Sequence, residues 1–172
     1  MAEESEIRNP KSEIAFVALG SNLGDSDEIV SEAVKRLEKF SDQRLLRSSL
    51  RQTAPVDCPP GSPMFMNAVV GLVPRAGETP ESLLARLKAL EKEFGRQPRQ
   101  VRNEPRPLDL DLIAFGNEVR SAPDLTLPHP RAHLRQFVLQ PLADIAPDFI
   151  LPGQTKTVAQ LLEELGNESV NP

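Results

Sequence analysis

The segment Leu108-Asp109-Leu110-Asp111-Leu112 alternates strictly between leucine and aspartate, and it constrains the fold more than any other feature of the chain. Successive side chains of a β-strand point to opposite faces, whereas a helix would scatter these five residues around its axis. The alternation therefore predicts a strand from Leu108 to Phe115. Its leucines should enter a core, and both aspartates should share the opposite face.

Three further apolar segments have the length and composition of strands: Ile14 to Leu19, Leu45 to Gln52 and Met66 to Val73. We interpret Gly20 to Gly24 as a turn after the first of them. Amphipathic helical segments follow the first and third strands, so the order is strand, helix, strand, strand, helix, strand. This order is the ferredoxin-like pattern. We therefore predict an α+β fold with a βαββαβ core, an antiparallel sheet and additional helices near the C-terminus.

The two core helices carry clear start and stop signals. Asp25 precedes the first helix, and Glu28 completes a capping box. Thr79 is a good N-cap for the second helix, and Pro80 suits its first turn. Gly95 can supply the left-handed conformation that commonly ends a helix.

The chain shows no internal repeat and no linker that would divide it. We expect residues 1–12 to form a disordered lead-in and residues 13–172 to form a single domain, a size that suits one core. A third helix is predicted near Val158 to Leu165. Thr157 and Gln160 form its capping box.

Composition narrows the function classes. A formal net charge of -5 argues against a general nucleic-acid binder. No apolar run approaches the 18 or more residues of a membrane span, and the acidic N-terminal segment is unlike a signal peptide. We therefore expect a cytoplasmic protein that binds neither membrane nor nucleic acid. The single cysteine, Cys58, excludes an intrachain disulfide.

Four arginines and one glutamate lie between Gly95 and Pro107: Arg96, Arg99, Arg102, Arg106 and Glu104. The arginine spacing would align them on a solvated helical face, but three prolines in or next to the same stretch disfavour a helix. We interpret the stretch as an irregular loop that leads into the aspartate strand. Because guanidinium groups bind phosphate oxygens bidentately, the loop indicates a polyphosphate ligand.

The two aspartates indicate a metal ion. Their backbones would stand roughly 6.5–7 Å apart along a strand, and two carboxylates at that distance repel by about 2.5 kcal/mol at an effective dielectric near 20. A divalent cation removes that repulsion, and Mg²⁺ is commonly held by one or two carboxylates plus substrate phosphates. The alternative is the solvated face of an amphipathic strand, although aspartate is disfavoured in strands. The common nucleotide-binding glycine motifs are missing from the sequence.

Taken together, these motifs resemble the 6-hydroxymethyl-7,8-dihydropterin pyrophosphokinase family over roughly Ile14 to Pro152. The matching stretches include Ala18–Gly24, Thr53–Pro55, Phe65–Ala68, Glu91, Gly95-Arg96, Arg102–Asp111, Pro128–Arg131 and Arg135–Leu142. The resemblance implies an ATP-dependent diphosphotransferase of folate biosynthesis. Such an enzyme transfers pyrophosphate from Mg·ATP to 6-hydroxymethyl-7,8-dihydropterin and releases AMP.

The resemblance also implies residue roles. Two Mg²⁺ ions would be held by Asp109 and Asp111, and the catalytic set would be Arg96, Arg106, Asp109 and Asp111. Phe65 and Phe137 would sandwich the pterin ring. The residues reading its polar edge would be Thr53, Ala54, Val56 and Asn67. The residues along the nucleotide would be Arg102, Arg106, Leu112, Thr126, His129, Arg131 and Arg135.

Two other functions are compatible with parts of the pattern. One is a catalytically weak ferredoxin-like nucleotide-binding module, against which the intact Asp109 and Asp111 argue. The other is a metal-dependent phosphoesterase acting on nucleic acid, which the negative net charge disfavours. We expect the protein to be a monomer with ATP and the reduced pterin as its ligands.

Overall fold

A five-stranded antiparallel sheet forms the centre of the computed structural model, which describes residues 13–54, 60–61, 63–95 and 107–170. Its strands are β1 (Ala15–Ser21), β2 (Leu46–Arg47), β3 (Arg51–Thr53), β4 (Phe65–Leu72) and β5 (Asp109–Phe115). The strand order is β2-β4-β1-β5, and β3 also pairs with β4. Every pairing in this sheet is antiparallel.

Helices lie against both faces of the sheet. They are α1 (Ser26–Glu38), α2 (Pro80–Glu93), α3 (Gln136–Ile145) and α4 (Val158–Val170), and a short 3₁₀ helix (Ala132–Leu134) precedes α3. One apolar cluster joins α1 and α2 to the sheet, and a second joins α3 and α4 to the other face. A separate hairpin consists of β6 (Arg120–Ala122) and β7 (Leu125–Leu127). In the described part of the chain, no helix is both long and apolar enough to cross a membrane.

The sheet order and the helix positions confirm the predicted ferredoxin-like core with additional C-terminal helices. The side chain of Asp25 caps α1 by accepting a hydrogen bond from the backbone N–H of Glu28. Thr79 caps α2, with Ser82 as its reciprocal partner. Gly95 follows α2 with a φ of 90°, in the left-handed region that ends helices. These local signals were sufficient because each depends on residues close together in sequence.

The prediction of one strand from Leu45 to Gln52 is wrong, because the segment forms β2 and β3 with a break between them. At the break, Ser48 donates its backbone N–H to the carbonyl of Val69, and the Ser48 hydroxyl accepts the N–H of Val69, both at 2.9 Å. A side chain thus replaces a backbone carbonyl in the ladder. This substitution interrupts the regular pairing.

The strand β1 runs to Ser21, so interpreting Gly20 as a turn residue is also wrong. The hairpin β6–β7 and helix α3 were not predicted at all. Pro141 lies inside α3, where it removes one backbone donor, and this obscured the helix in the sequence. The lead-in predicted for residues 1–12 lies outside the described residues.

Candidate active site

Four paired residues form a row across one end of the sheet. Arg51 pairs with Asn67, Asn67 with Gly20, and Gly20 with Asp109. Directly opposed residues of antiparallel strands point to the same face. The row therefore brings an arginine, an amide and a carboxylate onto one face, with a glycine between the last two. This is the face that α3 and α4 cover farther along the strands.

The predicted alternation of the aspartate strand is confirmed. Leu108, Leu110 and Leu112 are buried in the cluster beneath α1 and α2, whereas Asp109 and Asp111 are half-buried. Asp109 is paired with Gly20, and Asp111 is paired with Ala18. Both carboxylates therefore lie on the same face as Asn67.

Helix α2 is fixed to the outer edge of β5 by a buried carboxylate. An Oε2 atom of Glu91 accepts the backbone N–H of Leu110 at 2.7 Å, which is the N–H between the two aspartates. Because β5 is at the end of the strand order in the described sheet, this bond satisfies a donor that no other described strand takes. Glu91 matched the family pattern, but its sequence context did not predict this role.

The donor set suits a hard divalent cation. Two carboxylates on one strand face supply oxygen ligands of the kind that Mg²⁺ prefers, with substrate phosphates as the usual remainder. The described residues contain no group of three or more histidine, cysteine or acidic side chains placed to hold a metal ion. At Mg²⁺–nucleotide sites, one or two carboxylates are commonly completed by substrate phosphates and water.

Polar and aromatic side chains from Thr53, Phe65 and Asn67 surround Gly20 next to the carboxylates. We call the space beside these residues the acceptor recess. Asn67 is only 7% exposed, and its amide nitrogen donates a hydrogen bond to the Thr53 hydroxyl. A methyl group placed on Gly20 would lie 3.4 Å from the side-chain oxygen Oδ1 of Asn67 and 3.6 Å from the Phe65 ring. The backbone of Gly20 therefore lies directly beneath these two side chains. Ala54 is exposed beside Thr53, and Val56 lies outside the described residues.

The first turn of α3 approaches the same face from above the sheet. The guanidinium of Arg135, the residue before α3, lies 5.3 Å from the ring centre of Phe137. Phe137 is partly buried against the apolar cluster under α3 and α4. Phe65 and Phe137 therefore belong to the same face of the sheet, one from a strand and one from a helix.

His129 lies beside the end of β5 and is electrically neutral at pH 7. Its backbone N–H donates to the carbonyl of Ile113 at 2.8 Å, and its Nδ1 accepts the backbone N–H of Arg131 at 3.2 Å. Burial and the nearby guanidinium groups of Arg135 and Arg131 lower the pKa of His129 to about 4, and Asp109 offsets part of this effect. With Nδ1 accepting, the proton is assigned to Nε2.

The remaining predicted residues are distributed unevenly. Thr126 is exposed on β7. Leu112 points into the cluster beneath α1 and α2, so its backbone rather than its side chain would reach a nucleotide. The predicted phosphate-binding arginines Arg96, Arg102 and Arg106 lie outside the described residues, as does Arg99.

A family model described as 7,8-dihydro-6-hydroxymethylpterin-pyrophosphokinase matches residues 16–147. The 2-amino-4-hydroxy-6-hydroxymethyldihydropteridine pyrophosphokinase of Synechocystis is 38% identical over 158 residues, which cover 92% of this chain and 79% of that protein. The protein of the same name from Haemophilus influenzae is 34% identical, with coverage of 91% and 95%. These relatives are similar to the chain along nearly its whole length.

Longer proteins match only in part. The mitochondrial folate synthesis bifunctional protein of Pisum sativum is 35% identical, but the chain spans 33% of it. A solved structure of wild-type Plasmodium falciparum HPPK-DHPS with pteroate aligns with a TM-score of 0.71 at 15% identity, covering 92% of this chain and 44% of that one. At this identity the likeness shows the fold alone.

Proposed function

The chain belongs to the 7,8-dihydro-6-hydroxymethylpterin-pyrophosphokinase family, and we propose that it transfers the pyrophosphoryl group of ATP to 6-hydroxymethyl-7,8-dihydropterin. The products are AMP and the pterin diphosphate, an intermediate of folate biosynthesis. The observation that carries the proposal is the row formed by Asn67, Gly20 and Asp109. In this row, the amide of Asn67 is suited to hydrogen bonding with a pterin, and the carboxylate of Asp109 is suited to holding a metal ion.

The dimensions of this row suit one substrate that reaches both groups. Asn67 and Asp109 are separated by two strand spacings, about 9.4–9.8 Å, and Gly20, which lies between them in the row, has no side chain. A bicyclic pterin whose ring lies near Asn67 can extend its hydroxymethyl arm across Gly20. The reacting hydroxyl would then lie beside the carboxylates of β5.

The acceptor would be held by ring stacking and by the amide. We propose that Phe65 and Phe137 sandwich the pterin, because both belong to the face of the sheet on which the row lies. Thr53 fixes the Asn67 amide by accepting its N–H. This leaves the side-chain oxygen Oδ1 of Asn67 and the second N–H of its amide for the polar edge of the ring. The backbones of Ala54 and Val56 are proposed as further contacts.

The nucleotide would bind on the side of β5 that faces α3. Asp109 and Asp111 would hold Mg²⁺, for which we propose two ions, and the metal would neutralise charge on the phosphates. Neutral His129 would contribute a hydrogen bond rather than a charge, whereas Arg131 and Arg135 would contribute charge. Thr126 and the Leu112 backbone are proposed to line the base and ribose.

The arginines before β5 complete the proposed site. Arg96 and Arg106 are proposed to contact the transferred pyrophosphoryl group, and Arg102 the nucleotide. All three lie outside the described residues, so this part of the proposal depends on the sequence. Donors aimed at developing charge typically contribute about 10²–10³ in rate.

In the reaction, the pterin hydroxymethyl oxygen forms a bond to the β-phosphorus of ATP. The bond between that phosphorus and the oxygen bridging to the α-phosphate breaks, AMP leaves with the electron pair, and the hydroxyl proton passes to water. The residues of this chain act mainly by alignment and by charge, as in other phosphoryl transfers. Asn67 and the two rings orient the hydroxymethyl arm, and the arginines hold the phosphates.

An assay that separates AMP from ADP tests the proposal. With Mg²⁺, ATP and the reduced pterin, we expect one AMP for each pterin diphosphate formed. Formation of ADP would indicate a single phosphoryl transfer and contradict the proposal. ATP binding without pterin-dependent AMP would instead support the weak nucleotide-binding module. A monomeric state and a cytoplasmic location stay predictions, and sedimentation and cell fractionation can test them.

A further inference from the structure

An ion pair next to the acceptor recess joins β3 to α3. The guanidinium of Arg51 donates to both carboxylate oxygens of Asp144, at 2.8 and 2.9 Å. Ser49 donates its hydroxyl to the same carboxylate at 3.1 Å. Burial would raise the pKa of Asp144, but the hydrogen bonds from Arg51 and Ser49 outweigh it and lower that pKa. The carboxylate is therefore charged at neutral pH, and it accepts hydrogen bonds from both Arg51 and Ser49.

On the sheet, this pair begins beside the recess that we assign to the pterin. Arg51 is directly opposite Asn67, and paired residues share a face. Two residues later in β3 is Thr53, the acceptor for the Asn67 amide. A shift of β3 would therefore move Arg51 and Thr53 together and would disturb the Asn67 hydrogen bond.

On the helix, the pair ends on the face that carries Phe137. Asp144 follows Phe137 by seven residues, or two turns, so the two side chains leave α3 on the same side. At 1.5 Å per residue they are about 10.5 Å apart along the axis. At the other end of α3, the N-cap residue Arg135 makes no side-chain capping bond in the described structure. The ion pair is a specific polar contact between this helix face and β3.

We propose that the Arg51–Asp144 pair positions Phe137 against the strand wall formed by Thr53 and Asn67, and so sets the width of the acceptor recess. The proposal rests on the pyrophosphokinase function proposed above. Neither Arg51 nor Asp144 needs to contact the substrate. The pair should therefore affect pterin binding while leaving nucleotide binding and the metal dependence of turnover unchanged.

Calorimetric titration of the reduced pterin, with Mg²⁺ and a non-hydrolysable ATP analogue present, tests the proposal. Arg51→Ala should raise the pterin Kd by about fivefold, the upper end for a part-exposed ion pair, with the analogue Kd within about twofold. Arg51→Lys, which keeps the charge, should recover part of the loss. The double variant Arg51→Ala/Asp144→Ala should bind pterin no more weakly than Arg51→Ala alone.

Arg120 provides the matched control. Its guanidinium binds Glu81 at 2.7 Å and has a side-chain exposure of 29%, compared with 36% for Arg51, but it links β6 to α2. Arg120→Ala should leave the pterin Kd unchanged. The positioning role would be overturned if Arg120→Ala raised the pterin Kd as much as Arg51→Ala does. It would also be overturned if Arg51→Ala weakened the binding of the pterin and of the ATP analogue equally.

Thermal unfolding of each variant identifies any loss of pterin affinity that comes from global destabilisation. If the wild-type chain binds pterin and Arg51→Ala binds it equally well, the positioning role alone is refuted. If the wild-type chain binds no pterin, the proposed function fails, and the inference that rests on it fails as well.

Discussion

Two glycines on the same face of the sheet allow a direct test of where the acceptor lies. Gly20 in β1 is at the open end of the face, next to Asn67 and Phe65. Gly71 in β4 is under the apolar cluster, where an added methyl group would lie 3.0 Å from Ile14 and 3.2 Å from Phe16. The same substitution to alanine should therefore have different effects at the two positions.

At Gly20, the fold should accept the methyl group. Its contacts at 3.4 and 3.6 Å are at or near ordinary van der Waals distance. Replacing a strand glycine by alanine also stabilises the fold by about 0.5–1 kcal/mol, because it lowers the conformational entropy of the unfolded chain. The methyl group would, however, occupy the space between Asn67 and Asp109. If it displaces the hydroxymethyl arm by about 1 Å, turnover can fall by about 10²-fold.

At Gly71, the loss should be in stability. Inserting a methyl group into a packed core typically costs about 1–3 kcal/mol, and Ile14 and Phe16 would have to move. Because Gly71 is far along β4 from the row at Asn67, the folded fraction of Gly71→Ala should keep its pterin KM. Urea unfolding and steady-state AMP release, measured on both variants, separate the two effects.

A Gly20→Ala variant with wild-type kcat/KM for the pterin would refute the idea that the substrate arm crosses this residue. If Gly20→Ala instead loses as much stability as Gly71→Ala, Gly20 is required for packing, and its missing side chain has no role in binding. Unchanged affinity for an ATP analogue in both variants serves as the internal standard.

Three further outcomes follow from the site. Asp111→Asn should nearly abolish turnover and weaken Mg²⁺-dependent nucleotide binding while keeping the unfolding free energy, and wild-type turnover at limiting Mg²⁺ would contradict this. Phe137→Ala should raise the pterin Kd by about tenfold, since stacking contributes about 0.5–1.5 kcal/mol beyond area burial; calorimetry showing equal loss of ATP affinity would instead indicate a core role. The pKa of His129 is lowered to about 4 in the fold, so the unfolded chain protonates first and stability should fall as the pH drops from about 6.5 towards 4. Urea midpoints of His129→Asn, measured across that range, should change less than those of the wild-type chain.

The sequence was most informative where the pattern is local. The aspartate strand could be predicted because a period of two residues is incompatible with a helix, and its leucines are all buried as expected. The starts of α1 and α2 could be predicted because Asp25 and Thr79 bind backbone groups three residues away. These interactions hold whatever the rest of the chain does.

The sequence was least informative where a residue acts through a distant partner. Arg51 and Asp144 are 93 positions apart, and nothing in either local context indicates the other. Glu91 looked like one more charge on a helix, yet it binds the Leu110 backbone across the sheet edge. The position of Gly20 between Asn67 and Asp109 depends on the register of three strands, which a sequence pattern does not specify.

The first turn of α3 connects the two proposed ligand sites. Arg135, assigned to the nucleotide, stacks on Phe137, assigned to the pterin, with 5.3 Å between guanidinium and ring centre. A phosphate that draws the guanidinium of Arg135 away would leave a face of the Phe137 ring open for stacking. Because stacked rings and cations compete for the same ring face, nucleotide binding should strengthen pterin binding. By thermodynamic linkage, the pterin should strengthen nucleotide binding by the same factor.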